Sequence, residues 1–183
     1  NFDKNWIKAF EDSMRSDLSQ NTYVTIEDTL KYIYGSAEVI GLMMANILNV
    51  PEEGRKCAML LGRAMQYANF IRDIDEDLIL GRCYFPKDSL NNFNLNSLDK
   101  VEVVKYRENF VEFIKAQCQL YYSWQREAEE GYKYLSKESI RAVKTASIMY
   151  KWTIKQIEID PFKVYKGKIR PSILRIMWTA IMH

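Results

Sequence analysis

Apolar residues recur every three to four positions along most of the chain, which is the spacing of one buried face of an α-helix. This pattern predicts helices over about residues 4–18, 25–48, 51–79, 98–135 and 136–160, and a last helix from about residue 171. No stretch longer than a few residues alternates like a β-strand, and no segment repeats. The sequence therefore predicts one all-α domain over residues 1–183, folded as an antiparallel helical bundle.

Local signals mark the ends of these helices. Thr25 followed by Asp28 resembles a capping box at the start of the second helix. Pro51 fits the first position of the third helix, and Gly81 is expected to end it. Residues 81–97 are rich in asparagine and predict a loop.

The composition excludes several classes of function. Basic and acidic residues nearly balance, 26 against 24, which argues against a dedicated nucleic-acid-binding protein. The three widely spaced cysteines form no disulfide framework, so we expect a reducing, cytoplasmic location. The only histidine is His183, which excludes a Ser-His-Asp triad and a histidine-based zinc site. No apolar run reaches the roughly 18 residues of a spanning helix, so any membrane association would be peripheral.

The candidate chemistry lies near the end of the third predicted helix. Gln66, Asn69, Asp73 and Asp77 are spaced so that all four fall on one helical face. Carboxylates four residues apart repel each other, and a divalent cation reverses the sign of that interaction. Mg²⁺, with Mn²⁺ as an alternative, takes such oxygen ligands. The competing interpretation is a solvated acidic surface, since this spacing is common on helices.

Several segments together resemble the squalene and phytoene synthase family. Residues 66–77 and the following GRCYFP loop (residues 81–86) are similar to its second aspartate-rich motif. Residues 10–18 resemble its GMRMDL segment, residues 32–44 its YCYxVAGxVGxMM helix, and residues 150–158 its LYRxILDxIE helix. The likeness is closest to prokaryotic phytoene synthases. It implies the isoprenoid synthase fold, of which this chain, beginning without methionine, would be an incomplete C-terminal portion.

The resemblance also implies roles for individual residues. Asn69, Asp73 and Asp77 would hold Mg²⁺ on a diphosphate. The implied catalytic residues are Tyr32, Gln66 and Tyr150. The implied substrate-binding residues are three cations and four small or flexible side chains: Arg72, Arg82, Lys168, Gly35, Ser36, Gly41 and Met44. Ordinary core packing is the alternative for the tyrosines and methionines.

The implied reaction is the head-to-head condensation of two allylic prenyl diphosphates. In the phytoene branch the substrate is geranylgeranyl diphosphate, and a cyclopropyl diphosphate intermediate leads to phytoene without NADPH. Squalene or dehydrosqualene synthesis from farnesyl diphosphate is one alternative. A non-catalytic relative that acts as a helical interaction or assembly protein is another, although such relatives tend to lose the aspartates. The oligomeric state is left open.

The chain departs from the family pattern in three places. It begins downstream of the first aspartate-rich motif, so we expect that the 183 residues alone do not catalyse condensation. Lys168 stands where the family has an arginine, which keeps the charge but loses the bidentate fork. Glu38 stands where many members have glycine, so a carboxylate is expected to border the substrate cavity.

Overall fold

The computed structural model describes residues 2–182, and this part of the chain is helical apart from turns and connecting segments. The α-helices are α1 (Lys4–Ser16), α2 (Ile26–Ile33), α3 (Val39–Ile47), α4 (Glu52–Arg72), α5 (Ile74–Ile79), α6 (Lys87–Asn92), α7 (Lys100–Lys105), α8 (Arg107–Glu129), α9 (Lys137–Ile159) and α10 (Ile173–Met182). A π-helical turn (Tyr34–Glu38) joins α2 to α3, and 3₁₀ turns follow α8 (Glu130–Tyr134) and α9 (Pro161–Tyr165). The all-α prediction is confirmed.

The helix ends follow the local signals in all but one case. The capping box is present, because the Asp28 amide donates to Thr25 Oγ1 at 3.2 Å and the Thr25 amide donates to the Asp28 carboxylate at 3.0 Å. Gly81, which follows α5, has a left-handed φ of 73°. The prediction for Pro51 was wrong by one position: it immediately precedes α4, because its ψ of 166° is extended.

Four predicted elements are subdivided, one of them by the π-helical turn within residues 25–48. Residues 51–79 break at Asp73, whose φ of −101° and ψ of 18° leave the helical range. Residues 98–135 break at Tyr106, and the predicted loop over residues 81–97 contains α6. Backbone hydrogen bonds from Asp73 to Asn69 and from Asp77 to Asp73, both 2.8 Å, continue across the first break. The acidic residues therefore stay on successive turns although the helix is interrupted.

Helix α4 is the central element of the bundle, packing most extensively against α8 and next against α3. Near its C-terminal end, Phe70 stacks on Tyr84 with ring centroids 4.2 Å apart. Tyr67 meets Trp124 of α8 edge-on at 5.1 Å. These buried contacts fix one side of α4, which leaves its opposite side to line a cavity.

The π-helical turn connects α4 to the rest of the bundle through a buried ion pair. Glu38 is 2% exposed and accepts a hydrogen bond from Arg63 Nε at 2.6 Å. The Arg63 guanidinium also lies 5.4 Å from the centre of the Trp124 ring. Glu38 is thus paired with a cation of α4 and is not among the residues that line the cavity described below. The expectation that a carboxylate at this position would border the substrate cavity was wrong.

Helix α10 is the least covered element. It packs on α9, and its large apolar side chains remain exposed, with Leu174 at 79% and Ile173 at 75%. Between residues 2 and 182, no helix combines the length and the apolar character needed to cross a membrane.

Candidate functional site

A cavity of about 480 Å³ runs along one side of α4. The π-helical turn and α3 form a second wall, and α9 with the 3₁₀ turn after α8 forms a third. Helices α3 and α4 lie very close together, since a β-carbon on Gly41 would overlap the carbonyl oxygen of Ala58. Most residues that line the cavity are small or apolar, which suits a flexible hydrocarbon ligand.

Four polar side chains line one end of this cavity, Ser36, Gln66, Asn69 and Tyr150, and Tyr132 lines the wall formed by the 3₁₀ turn after α8. Ser36 Oγ and Asn69 Oδ1 are buried and have no hydrogen-bond partner in the described part of the protein. The Asn69 amide nitrogen makes only a long bond of 3.4 Å to Gln66 Oε1. A buried polar atom without a partner costs about 1–3 kcal/mol, so this end favours a ligand or ion that supplies the missing contacts.

Two aspartates, Asp73 and Asp77, lie one and two turns after Asn69. Asp73 accepts hydrogen bonds from Arg72 Nε at 2.7 Å and Arg72 Nη2 at 2.5 Å, so Arg72 braces this carboxylate. Burial and then the charge of Asp73 raise the pKa of the Asp77 carboxyl to about 7, against the opposing effect of Arg82. A carboxyl group whose pKa is raised by burial and by neighbouring carboxylates indicates a place where a bound cation would be stabilised.

Asp17 is a site residue that sequence reasoning did not assign. Its carboxylate accepts hydrogen bonds from the Tyr32 hydroxyl at 2.9 Å and the Tyr84 hydroxyl at 3.2 Å. Arg82 Nη2 donates to the Asp17 carbonyl oxygen at 3.1 Å. The acidic residues at positions 73–77 form what we call the acidic segment. The charge of Asp17 helps to raise the Asp77 pKa, so Asp17 acts electrostatically with this segment. Its only sequence signal was its place near the end of the GMRMDL-like segment.

Tyr32 lies behind the acidic segment and does not line the cavity. Its ring packs against Tyr84 at 5.2 Å and Phe70 at 6.2 Å. Burial, reinforced by Tyr84, raises the pKa of the Tyr32 hydroxyl. This group is therefore a hydrogen-bond donor to Asp17 and not a base at neutral pH.

The other predicted residues divide between two places. The cavity wall contains Ser36, Gly41, Met44, Gln66, Asn69 and Tyr150. Arg72 and Arg82 contact the acidic residues as described above. Lys168 Nζ lies 3.2 Å from Glu76, and both side chains are about half exposed, so this lysine is at the outer edge of the acidic segment.

Gly35 was also predicted to contact substrate, but it faces α1 and is not among the residues that line the cavity. A β-carbon at this position would overlap the carbonyl oxygen of Ala9 and the side chain of Ser13, both in α1. The glycine is needed because α1 crosses the π-helical turn at this point, not because a ligand does. Its neighbour Ser36 is the residue of this turn that reaches the polar end of the cavity.

The predicted magnesium ligands can be tested against the chemistry of this site. Among residues 2–182, no three histidine, cysteine, aspartate or glutamate side chains are gathered closely enough to hold a metal ion. The predicted set is instead one amide and two carboxylates, Asn69, Asp73 and Asp77. Its hard oxygen atoms, the unpartnered Asn69 Oδ1 and the raised Asp77 pKa fit Mg²⁺, which usually takes one or two carboxylates together with substrate phosphate.

Known phytoene synthases are similar in sequence to this chain. Phytoene synthase 3 of maize (Zea mays, chloroplastic) is 29% identical over 85% of this chain and 39% of its own length. The phytoene synthase of Pseudescherichia vulneris is 44% identical over 46% of this chain and 28% of its own. The chain thus spans well under two thirds of the curated relatives it matches.

Among solved structures, a dehydrosqualene synthase in complex with a ligand aligns with 99% of this chain and 64% of its own, at 20% identity and a TM-score of 0.85. This match confirms the isoprenoid synthase fold and shows that the chain corresponds to only part of that structure. The sequence profile of the squalene/phytoene synthase family matches residues 1–177. The chain therefore belongs to the squalene/phytoene synthase family.

Proposed function

We propose that this chain forms part of a Mg²⁺-dependent prenyltransferase that joins two allylic diphosphates head to head, with geranylgeranyl diphosphate as substrate and phytoene as product. One observation carries the proposal. An apolar cavity has buried, unpartnered oxygen atoms at a single end, and two carboxylates that repel each other continue from that end. A prenyl diphosphate has the matching form, an apolar tail with a metal-binding head.

The residues at the polar end would bind and orient the head of the substrate. Asn69, Asp73 and Asp77 would hold Mg²⁺, which when bound supplies the positive charge that lets a diphosphate leave. Arg72 keeps Asp73 in a fixed orientation, and Arg82 and Lys168 place positive charge around the acidic segment.

The remaining polar groups would control the surroundings of the reacting carbons. Gln66 and Tyr150 lie in the cavity wall beside Asn69, close to where an allylic head would sit. Tyr32 and Tyr84 hold Asp17 through their hydroxyl protons, which keeps this carboxylate fixed near the acidic segment. The apolar walls would exclude water from a developing carbocation.

The phytoene product is favoured over squalene by the relatives named above. Phytoene synthases are the matched proteins from both a plant and a bacterium, the latter at 44% identity over 87 residues. Squalene or dehydrosqualene synthesis from farnesyl diphosphate is the alternative product specificity. A purely structural role is disfavoured because Asp73 and Asp77 are both present and electrostatically coupled.

Calorimetric titration of the chain with geranylgeranyl thiodiphosphate, an unreactive analogue, tests the proposal. We expect binding in the presence of Mg²⁺ and its loss when EDTA replaces the metal. Absence of Mg²⁺-dependent binding would refute the assignment. Product analysis with geranylgeranyl diphosphate then tests the product, both for the chain alone, which we expect to be inactive, and after adding the N-terminal part of a phytoene synthase.

A further inference from the structure

We propose that Glu38 and Arg63 are positioning residues, whose ion pair holds the π-helical turn so that the Ser36 hydroxyl donates a hydrogen bond to the diphosphate of the substrate. This inference rests on the proposed function, because it concerns the ligand of the same cavity. It gives a role to a buried ion pair that the proposed reaction does not otherwise use.

The two polar side chains of the turn depart together from the pattern that residues 32–44 resemble. In YCYxVAGxVGxMM, valine stands at position 36 and glycine at position 38, whereas this chain has Ser36 and Glu38. A buried hydroxyl or carboxylate without a partner costs stability, so neither side chain is explained by packing alone. Glu38 has its partner in Arg63, whereas Ser36 Oγ has none in the described part of the protein. The turn therefore leaves one polar group for a ligand to satisfy.

The turn is held between two helices. On the side of α1, Ser13 Oγ donates to the carbonyl oxygen of Tyr32 at 2.9 Å. On the side of α4, a β-carbon on Gly62 would overlap the carbonyl oxygen of Ala37, so the turn lies directly against the backbone of that helix. These contacts fix how near the turn lies to its neighbours.

The ion pair fixes how the turn is rotated. Glu38 is buried against Arg63 at 2.6 Å, whereas Ser36 lines the cavity. Residues two positions apart on a helical turn face roughly opposite directions. Holding Glu38 on the side of Arg63 therefore holds Ser36 on the side of the cavity.

The contacts between backbones also show where Ser36 lies along α4. A β-carbon on Gly41 would overlap the carbonyl oxygen of Ala58, and one on Gly62 would overlap that of Ala37. Positions four residues later in the first segment thus meet positions four residues earlier in α4, so the two run antiparallel. Ser36 is therefore level with about the residue that follows Gly62.

This level lies between the proposed metal site and the apolar part of the cavity. Asn69 is about 9 Å further along the axis of α4 than Ser36, and Gln66 lies between them. A diphosphate held through a metal at Asn69, with its tail in the cavity, places the phosphate nearer the tail between these two levels. The Ser36 hydroxyl donates to an oxygen of that phosphate, a charge-assisted hydrogen bond.

The test is calorimetric titration of the full chain with geranylgeranyl thiodiphosphate and Mg²⁺. Ser36→Ala should weaken binding by roughly tenfold or more, as the loss of a hydrogen bond to a charged group does. Ser36→Thr keeps the hydroxyl and should weaken binding less than about threefold. The matched control is Ser123→Ala, since this half-buried serine of α8 donates to the Leu120 carbonyl oxygen at 2.7 Å. It should leave the affinity unchanged.

A double-mutant cycle tests whether Glu38 acts through Ser36. Glu38→Gln alone should weaken binding by nearly as much as Ser36→Ala, because the turn is no longer held in one rotation. The variant with both substitutions should bind within about twofold of Ser36→Ala. Losses that multiply in the double variant would overturn the positioning role.

A second pair of substitutions separates positioning from stability. Glu38→Gln with Arg63→Met removes both charges and should recover most of the stability that Glu38→Gln loses, as measured by urea unfolding. Its affinity should nevertheless stay roughly tenfold weaker, because no ion pair fixes the rotation of the turn. Affinity that recovers together with stability would overturn the inference. If Glu38→Gln alone does not fold, as judged by circular dichroism, this double substitution replaces it in the cycle.

The outcomes distinguish this inference from the proposed function. Binding that Ser36→Ala leaves unchanged would overturn the hydrogen bond to the diphosphate while the proposed function stands. No Mg²⁺-dependent binding by the unsubstituted chain would instead overturn the proposed function.

Discussion

Two acidic side chains of this protein, Glu38 and Asp77, are removed from water in opposite ways. Glu38 is almost completely buried, yet its carboxylate has a cation at 2.6 Å, the Arg63 guanidinium. Asp77 is only partly buried, but three further carboxylates, those of Asp73, Glu76 and Asp17, all raise its pKa. The deeper carboxylate is thus the one whose charge is balanced.

The difference shows that burial alone does not identify a functional carboxylate. A buried ion pair between helices fixes the position of the π-helical turn and needs nothing from outside the chain. A group of like charges next to an unpartnered amide oxygen is not explained by folding, because the repulsion between the charges lowers stability. The acidic segment is therefore the better candidate for binding a cation, and the two carboxylates should respond oppositely to mutation.

The largest expected effect is on binding. Asp73→Ala or Asp77→Ala should weaken Mg²⁺-dependent binding of geranylgeranyl thiodiphosphate by roughly two orders of magnitude or more, because each removes a proposed metal ligand. Asp75→Ala is the matched control, since this neighbour pairs with Lys100 at 3.1 Å. Unchanged affinity in both aspartate variants, measured by calorimetry, would contradict the metal assignment.

The second effect is on stability. Glu38→Gln leaves the Arg63 guanidinium without its anion in a largely buried place, and should lower the free energy of unfolding by about 3 kcal/mol. Adding Arg63→Met should recover most of this loss, since both charges are then absent. The control Glu112→Gln breaks an exposed pair with Lys115 and should cost less than about 1 kcal/mol. Urea unfolding measures all of them, and a loss no larger than in the control would show that the buried pair is unimportant.

Asp17 is intermediate between Glu38, which pairs with a cation, and Asp77, which is surrounded by carboxylates. It is partly buried, but two tyrosine hydroxyls donate to its carboxylate. Asp17→Asn weakens these charge-assisted bonds and should lower the free energy of unfolding by about 1–2 kcal/mol. Near-ultraviolet circular dichroism should report the changed environment of Tyr32 and Tyr84. A gain in stability would place Asp17 with the repelling carboxylates instead.

The part of the site that could be predicted from the sequence lies within one helix. The spacing of Gln66, Asn69, Asp73 and Asp77 requires no knowledge of tertiary structure, only the helical repeat. The break at Asp73 was not foreseen, because apolar and acidic residues continue through it without a glycine or proline. The residues still occupy successive turns, as predicted, because backbone hydrogen bonds continue on both sides of the break.

The parts that were missed depend on contacts between distant segments. Asp17 meets Tyr84 across 67 positions of sequence, which no local pattern reveals. Gly35 and Ser36 are adjacent small residues, and the sequence gives no reason to direct one towards α1 and the other towards the cavity. The geometry of the π-helical turn, with its additional residue, decides this difference.

The last expected effect depends on pH and is a gain in stability when the charge of Asp77 is removed from the metal-free protein. Its pKa rises from about 4 in an unfolded chain to about 7 in the folded one, so between these values the folded state binds a proton that the unfolded state releases. Stability must then fall as the pH increases from about 4 to about 7 and stay level above that range.

Asp77→Asn removes this dependence, because the amide does not titrate. In EDTA, the variant should match the unsubstituted protein near pH 4 and become progressively more stable than it up to about pH 7. Urea unfolding at several pH values measures the difference, and Glu112→Gln serves as a control, since this exposed side chain pairs with Lys115 at 2.8 Å and is not among the groups that shift the Asp77 pKa. A constant difference across this range would mean that Asp77 has an ordinary pKa, and the contrast with Glu38 would then fail.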